Sequence, residues 1–312
     1  MAISALETQF RKATAALVGD VACARFGVAV SGGPDSMALL DLAARALPGR
    51  VAAVTVDHGL RTESASEAAM VADWCAGRGI THAIVRPERA VQGNIQGWAR
   101  TQRYALIEAW RAATGLDWIM TAHHADDQLE TMLMRLNRGS GVNGLAGVRA
   151  RTGHVIRPLL AVSKAQLQAY VDGTGIPYVV DPSNSDPRFD RAALRMVLAD
   201  VDWLDPQAAA RSAAALADAE VALDWMVEGV AAQHMRRVEG GWVLDRTDLP
   251  RELLRRLVLR MLAQAGAAAP RGDAIDRALL AAARGEQVSL GDWLLKGGAQ
   301  WTLAPAPARR FP

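Results

Sequence analysis

A short polar segment near the N-terminus has the residue types needed to bind a phosphate group. It reads Ser31-Gly32-Gly33-Pro34-Asp35-Ser36. The apolar, β-branched run Val28–Val30 precedes it and an apolar helical pattern follows at once, which predicts a buried strand, a tight turn and a helix N-terminus. The backbone N–H groups of such a turn and the positive end of the helix dipole together favour an anion.

The side chains of this segment agree with a phosphate ligand. Gly32 and Gly33 lack the Cβ atoms that would block close approach of a ligand to the backbone. Ser31 and Ser36 add hydroxyl donors, and Pro34 suits the first turn of a helix, where its missing N–H does no harm. The alternative is an ordinary glycine turn capped by serine and aspartate, but the strand–turn–helix context favours the phosphate site.

The form Ser-Gly-Gly-x-Asp-Ser resembles the PP-loop of ATP pyrophosphatases, which cleave ATP between its α- and β-phosphates. It differs from two other common phosphate loops, since no Gly-Lys-Ser/Thr follows and the glycines lack the Gly-x-Gly-x-x-Gly spacing. The resemblance implies that Ser31–Ser36 bind the pyrophosphate part of ATP and that Asp35 helps to place Mg²⁺.

Strands and helices are predicted to alternate around this loop. The predicted strands are Gly27–Val30, Val51–Val56, Thr81–Val85, Trp118–Ala122 and Tyr178–Val180. The segments between them have apolar residues at helical spacing. This order indicates an α/β fold with a doubly wound, mostly parallel sheet, Rossmann-like and of the PP-loop ATP pyrophosphatase type. Such sheets bind their ligands at the carboxyl ends of the strands.

Two further polar motifs follow predicted strands. They are Asp57-His58-Gly59-Leu60-Arg61 after the second strand and His123-His124-Ala125-Asp126-Asp127-Gln128-Leu129-Glu130 after the fourth. Acids in the first turns of a helix are favoured by its dipole, which alone would explain them, whereas two adjacent histidines at a strand end are harder to explain by packing. A metal site that joins His123 to Asp127 is an alternative, although zinc sites usually have His-x-x-x-His or cysteine spacing.

Two pairs of arginines have helical spacing. Arg100 and Arg103 are three residues apart and Arg191 and Arg195 are four apart, so that each pair shares one helix face. Such a pair can clamp a phosphate, or it can be an ordinary solvated face. Arg138 opens a glycine-rich loop that ends the helix of the acidic motif.

The motifs occur in an order that resembles tRNA(Ile)-lysidine synthetases over roughly residues 25–200. The resemblance is carried by Ser31–Ser36, Asp57–Arg61, Ala99–Tyr104, Ala122–Thr131, Arg138–Gly141, Arg157–Leu160 and Asp181–Asn184. The joint pattern is far more specific than any single motif. One position departs from it, because Ala192 follows Arg191 where the family usually has an asparagine.

The resemblance implies a tRNA-modifying ligase that forms a carbon–nitrogen bond. Members use ATP to adenylate C2 of the wobble cytidine of the isoleucine tRNA with a CAU anticodon. They then attach lysine to give lysidine, with release of AMP and pyrophosphate. ATP and Mg²⁺ are therefore the implied cofactors, and tRNA(Ile) and L-lysine are the implied partners.

The same resemblance implies roles for individual residues. The implied catalytic residues are Asp35, Arg103 and Asp127. The implied ATP-binding residues are Ser31, Gly32, Gly33, Pro34, Asp35, Ser36, His58 and His123, with Asp35 also as the Mg²⁺ ligand. Lysine is expected at Asp127 and Glu130. Contacts with phosphate or tRNA are expected from Arg100, Arg138, Arg191 and Arg195.

The length of 312 residues allows two domains. An alanine-rich stretch after Asp205-Pro206 marks the expected boundary between a PP-loop catalytic domain, 1–204, and a smaller, mainly helical domain, 205–312, for tRNA contact or support. A predicted helix in the second domain has arginines beside its apolar stripe, which either contact tRNA or are solvated. These are Arg251, Arg255, Arg256 and Arg260. A small hairpin is predicted within 288–303.

The composition excludes several classes of protein. Hydrophobic residues make up 51% and charged residues 22%, no apolar run approaches the length of a membrane span, and we expect a cytoplasmic protein without membrane contact. Cys23 and Cys75 are too few for a disulfide scaffold or a thiolate metal site. The net charge of +2 means that nucleic-acid affinity must come from local arginine patches. The sequence indicates no particular oligomeric state.

Other PP-loop enzymes are the main alternatives. Asparagine and NAD synthetases form amides and share Ser-Gly-Gly-x-Asp-Ser, but not the His-His-x-Asp-Asp-Gln-x-Glu run. The tRNA thiolases rely on cysteine chemistry, and this chain has no Cys-x-x-Cys. A non-catalytic nucleotide sensor or RNA-binding module is the alternative outside enzymes, and ATP–pyrophosphate exchange that depends on tRNA distinguishes it.

Overall fold

The computed structural model describes residues 3–57, 64–87, 95–180, 190–270 and 272–307, with the side chains of residues 3–4 and 95–100 left out. The chain divides into two compact units, Met1–Ala217 and Asp218–Pro312. Among the described residues, no helix is both long and apolar enough to cross a membrane.

The first unit is built on a six-stranded sheet in the order β3-β2-β1-β4-β6-β5. The strands in that order are Thr81–Val85, Val51–Val56, Phe26–Ala29, Trp118–Met120, Val155–Ile156 and Arg151–Thr152. Neighbouring strands are parallel except for β5, which pairs antiparallel with β6. The mostly parallel sheet is thus confirmed.

Helices of the first unit cover both faces of this sheet. They are α1 (Ile3–Val18), α2 (Pro34–Ala46), α3 (Ser64–Ala76), α4 (Ile95–Thr114), α5 (Ala125–Leu136), α6 (Val142–Leu145), α7 (Lys164–Thr174) and α8 (Asp190–Leu198). Met120 of β4 packs in the core that α1, α2 and α7 help to build. Its neighbour Ile119 packs in a second cluster with Ile107 of α4. Because successive strand residues point to opposite faces, the sheet is doubly wound.

One predicted strand is wrong. Tyr178–Val180 forms no strand, and instead the backbone N–H of Val179 donates to the carbonyl of Gly32 in the phosphate loop, at 2.9 Å. The sheet position beside β4 belongs to β6, which precedes that segment in the chain. The segment therefore packs against the loop Ser31–Ser36 rather than extending the sheet.

The second unit combines an antiparallel sheet with helices. A long helix, α9 (Pro206–His234), begins in the first unit and ends in the second, where α10 (Arg251–Gln264) and α11 (Ala274–Ala283) follow. The sheet has the order β7-β8-β11-β10-β9. Its strands in that order are Met235–Val238, Gly241–Leu244, Trp301–Pro305, Trp293–Lys296 and Gln287–Leu290.

One face of this second sheet is packed against helices. Leu295, Trp301 and Leu303 are buried together with Leu257 and Met261 of α10. The predicted hairpin thus belongs to a larger sheet, because β11 also pairs with β8.

Candidate active site

The loop between β1 and α2 folds back on its own serines. The backbone N–H of Ser31 donates to Ser36 Oγ at 3.1 Å, and the Ser36 hydroxyl donates to the carbonyl of Gly33 at 2.9 Å. Ser36 is buried and Ser31 is exposed. The Ser36 hydroxyl therefore shapes the loop, while Ser31 lies at its surface.

The two glycines of the loop are needed for different reasons. Gly32 has a φ of +82°, which other residues rarely adopt. Gly33 has an ordinary φ of −74°, and a Cβ there would meet Ser31 Oγ at 3.7 Å and the Val179 carbonyl oxygen at 3.9 Å, both ordinary contacts. The described residues thus leave room for a side chain at Gly33, whereas a ligand held against the loop backbone would meet it.

The N-terminus of α2 is available to an anion. Pro34 occupies its first turn. The N-cap residue is Gly33, which has no side chain to cap the first N–H groups. The first N–H groups of a helix lack partners within the helix and carry the positive end of its dipole. A phosphate at this position would supply the missing acceptor.

Asp35 fits the chemistry of a Mg²⁺ ligand. Its Oδ1 is buried and has no hydrogen-bond partner among the described residues. A buried oxygen without a partner is costly, and Mg²⁺ at a phosphate loop would satisfy it. No group of three histidine, cysteine or acidic side chains in the described ranges is arranged to hold a metal, so Mg²⁺ would take further ligands from phosphate and water, as it commonly does.

Adjacent histidines follow β4 at the carboxyl edge of the sheet. His123 is partly exposed, and its Nδ1 lies 3.0 Å from Thr121 Oγ1. His124 is only 4% exposed and faces three carboxylates. Its Nε2 lies 3.5 Å from Asp35 and 3.7 Å from Asp127, and its Nδ1 lies 3.4 Å from Asp126.

These carboxylates determine the charge of His124. Burial by itself lowers the pKa of the ring, but Asp126, Asp35 and Asp127 outweigh burial and raise the pKa of His124 to about 10. The ring is therefore a cation at neutral pH, which offsets the negative charge gathered at the start of α5. The sequence analysis noted His124 but assigned it no role.

Two acids of α5 and two arginines of α8 form one group, here called the site cluster: Asp127, Glu130, Arg191 and Arg195. Arg195 contacts both oxygens of Glu130, at 2.5 and 3.1 Å. Its distance to Asp127 is longer, 3.6 Å. Arg191 lies 4.0 Å from each acid and donates to Thr131 Oγ1 at 3.1 Å.

The site cluster brings together residues that the sequence assigned to different ligands. Asp127 and Glu130 were expected to hold lysine, and Arg191 and Arg195 were expected to contact phosphate or tRNA. Burial by itself lowers the pKa of Arg195, and the two acids outweigh it and raise that pKa. Because Glu130 is fully engaged by Arg195, Asp127 is the acid of the pair with weaker arginine contacts.

The remaining expected residues lie elsewhere. Arg103 is exposed on α4. Arg138 is exposed at the end of α5, where it lies 3.5 Å from Asp190 at the start of α8. Arg100 belongs to α4, but its side chain is outside the described residues, as is His58.

Sequence reasoning missed several residues that hold the site in place. The Gln128 side chain donates to the carbonyl of Val148 and accepts from its N–H, at 2.8 and 2.7 Å. The Asp126 carboxylate accepts from the backbone N–H of Lys164 at 2.7 Å, at the start of α7. Both side chains lie within the motif after β4, but their partners are 20 and 38 residues away, so spacing along the chain gave no signal.

The chain is similar to known proteins over most of its length. A family profile described as a PP-loop domain matches residues 6–201. The tRNA(Ile)-lysidine synthase of Zymomonas mobilis is 39% identical over 312 aligned residues, which cover 96% of this chain and 94% of that protein. That of Novosphingobium aromaticivorans is 42% identical and covers 92% and 90%, respectively.

The chain belongs to the tRNA(Ile)-lysidine synthase family. Its loop Ser31–Ser36 lies within the part of the chain that matches the PP-loop domain. The fold agrees with this membership, since the U34-tRNA thiolase NcsA from Methanococcus maripaludis superposes with a TM-score of 0.54 at 15% identity, over 67% of this chain and 78% of that one. That likeness concerns the fold alone.

Proposed function

We propose that this enzyme converts the wobble cytidine of the CAU-anticodon isoleucine tRNA into lysidine. In the first step the oxygen on C2 of the cytidine attacks the α-phosphorus of ATP, and pyrophosphate leaves. In the second step one amine of L-lysine attacks C2, and AMP leaves with that oxygen. The observation that carries the proposal is that the PP-loop and the site cluster share the carboxyl edge of one parallel sheet.

The ATP step is assigned to the loop and its aspartate. Backbone N–H groups of the loop and the N-terminus of α2 would hold the β- and γ-phosphates, which must leave as pyrophosphate. Mg²⁺ bound at Asp35 would offset the negative charge that develops on this leaving group. His58, His123 and Arg103 stay predicted contacts of ATP, and Arg103 also stays a predicted catalytic residue.

The lysine step is assigned to the acids of the site cluster. One amine of lysine must be neutral to attack, while the other is a cation near pH 7. Asp127 and Glu130 are three residues apart on α5 and would receive this cation. Asp127 can do so with little rearrangement, because its arginine contacts measure 3.6 and 4.0 Å. Glu130 would act while still held by Arg195, or after that contact is exchanged for the ammonium.

The tRNA is assigned to exposed arginines. Arg138 is available at the surface, and Arg191 is 41% exposed. Together with Arg100 and Arg195 they stay the predicted contacts for phosphate or tRNA. We further propose that residues 1–204 act as the catalytic domain and 205–312 as a tRNA contact or support, and that the enzyme works in the cytoplasm.

Mass spectrometry of tRNA nucleosides tests this function directly. Isoleucine tRNA with a CAU anticodon is incubated with the enzyme, ATP, Mg²⁺ and L-lysine, digested and analysed. We expect a cytidine heavier by one lysine minus one water, formed together with AMP. Methionine tRNA, which shares the CAU anticodon, is the control substrate. The proposal fails if isoleucine tRNA stays unmodified, or if ammonia or another amine replaces lysine equally well.

A further inference from the structure

The buried histidine His124 joins two helices of the active site. Asp35 comes from the first turn of α2, whereas Asp126 and Asp127 come from the first turn of α5. Each of the two ring nitrogens faces different carboxylates. Nε2 faces Asp35 and Asp127, at 3.5 and 3.7 Å, and Nδ1 faces Asp126, at 3.4 Å.

The backbone that carries the His124 ring is held by hydrogen bonds, whereas its Nδ1 is buried and makes no hydrogen bond to any described residue. Its own backbone N–H donates to the Asp127 carboxylate at 3.1 Å. The N–H of the next residue, Ala125, donates to the carbonyl of Val162 at 2.8 Å. Asp126, which faces Nδ1, is itself tied to the backbone of Lys164 at 2.7 Å. Because its backbone is held in this way and its side chain is only 4% exposed, the ring has little room to move away from Asp35.

Asp35 is restrained on one oxygen only. Its Oδ2 lies against His124 Nε2, whereas its Oδ1 is buried and has no hydrogen-bond partner among the described residues. An aspartate with two equivalent oxygens can rotate about its side-chain bonds unless one oxygen is held. A contact at Oδ2 therefore determines where Oδ1 lies.

We propose that His124 is a positioning residue, which holds Asp35 through Nε2 and leaves Oδ1 free to bind the Mg²⁺ of MgATP. The identity of the ligand rests on the proposed function, but the restraint on Asp35 rests on the geometry alone. Partners of metal ligands commonly change metal affinity by about 10- to 100-fold when they are removed. The effect of losing Nε2 should therefore appear in the Mg²⁺ dependence of ATP binding.

Two amide substitutions distinguish the roles of the two ring nitrogens of His124. The side-chain nitrogen of glutamine can take the place of Nε2, and that of asparagine can take the place of Nδ1. His124→Gln thus keeps a donor for Asp35, and His124→Asn keeps a donor only for Asp126. Asp126→Asn is the matched control, since it removes the charge that faces Nδ1 and leaves Nε2 in place.

The experiment is ATP binding by calorimetry across a Mg²⁺ titration, without tRNA or lysine, on wild type and the three variants. We expect His124→Asn to raise the half-saturating Mg²⁺ concentration about 10-fold or more. His124→Gln should stay within about 3-fold of wild type, and Asp126→Asn should lie between them. Melting temperatures of all four proteins show whether folding accounts for a difference.

The proposal is overturned if asparagine preserves the Mg²⁺ dependence as well as glutamine does. It is also overturned if both variants bind MgATP like wild type, or if the changes follow melting temperature alone. Because neither tRNA nor lysine is present, these results are separate from the nucleoside test. A wild-type enzyme that forms no lysidine but shows the glutamine–asparagine difference would refute the proposed function and support the role of His124.

Discussion

Two groups of acids and arginines can be compared, one in each unit of the molecule. In the site cluster of the first unit, two arginines and two acids meet across α5 and α8. In the second unit, Arg256 of α10 contacts Glu220 at 2.7 Å, Asp224 at 2.8 Å and Glu252 at 2.9 Å. We call these four residues the α9–α10 cluster, since they join those helices.

The two clusters differ in how completely their charges are paired. Every contact of Arg256 is short, and hydrogen bonding with Glu220 is the main cause of its raised pKa. In the site cluster only Glu130 is so closely paired, while Asp127 lies 3.6 and 4.0 Å from the two arginines. Nearby Asp35 has an oxygen with no hydrogen-bond partner among the described residues. Fully paired charges hold helices together, and incompletely paired charges at a sheet edge are available to a ligand.

The largest effect is expected from the oxygen without a partner. Asp35→Asn should lower AMP release by more than about 100-fold, because it weakens the Mg²⁺ site at the phosphate loop, while tRNA affinity stays near that of wild type. Asp224→Asn makes the same change in the α9–α10 cluster and should leave AMP release unchanged. Near-normal AMP release by Asp35→Asn would remove this residue from the mechanism.

A smaller effect is expected at the loop glycines. Gly33→Ala should raise the KM for ATP about 10-fold with little change in melting temperature, because the new methyl group makes only ordinary contacts with the described residues but would meet a ligand on the loop. Gly32→Ala should instead lower the free energy of unfolding by about 1–2 kcal/mol, since alanine is strained at that positive φ. Kinetics and thermal melts of both variants check this. Equal destabilisation by the two would show that Gly33 serves folding rather than binding.

The α9–α10 cluster should respond in stability alone. Glu220→Gln replaces a buried carboxylate that accepts two hydrogen bonds from Arg256, at 2.9 and 2.7 Å. Loss of charge-assisted hydrogen bonds of this kind costs about 2 kcal/mol. Urea denaturation measures this loss, and kcat for lysidine formation should not change. A fall in kcat in a fully folded variant would contradict the structural role of this cluster.

The smallest effect is expected at the exposed arginine Arg138. Both side chains of its ion pair with Asp190 are exposed to solvent. Arg138→Gln should therefore change the free energy of unfolding by less than about 1 kcal/mol. If it contacts the tRNA backbone, tRNA affinity should fall a few-fold and the salt dependence of binding should decrease by about one charge. Arg11→Gln on α1 is the control. Identical salt slopes for both variants would exclude Arg138 from the tRNA contact.

The sequence predicted the main parallel strands well. Val51–Val56 and Thr81–Val85 are found with the predicted bounds. A short continuous apolar run between turn residues is typical of a strand that is buried on both faces. The two-residue strands β5 and β6 were missed, since two residues are too few to show the alternating pattern of a strand. Tyr178–Val180 has the composition of a strand but contacts the loop at Gly32. This contact depends on tertiary packing, which local composition does not reveal.

The sequence motifs indicated candidate site residues but not how their side chains pair. Asp127 and Glu130 were recognised from their motif, and Arg191 and Arg195 from their spacing. Arg195 contacts Glu130, which lies 65 positions earlier in the chain, and no local pattern reveals such a contact. For the same reason, Arg251 and Arg256 looked alike on one helix, although one pairs with Asp276 and the other with three acids.

The most direct test of the comparison is the KM for lysine in Glu130→Gln and Glu220→Gln. Both variants remove one charge from a buried glutamate that contacts an arginine with both oxygens, so they differ only in which cluster they alter. Lysine and ATP are varied separately at saturating tRNA(Ile). We expect Glu130→Gln to raise the lysine KM at least about 10-fold, the effect of one lost charge-assisted hydrogen bond, with a smaller change for ATP. Glu220→Gln should change neither. An unchanged lysine KM in both Glu130→Gln and Asp127→Asn would show that the site cluster, like its counterpart, only joins two helices.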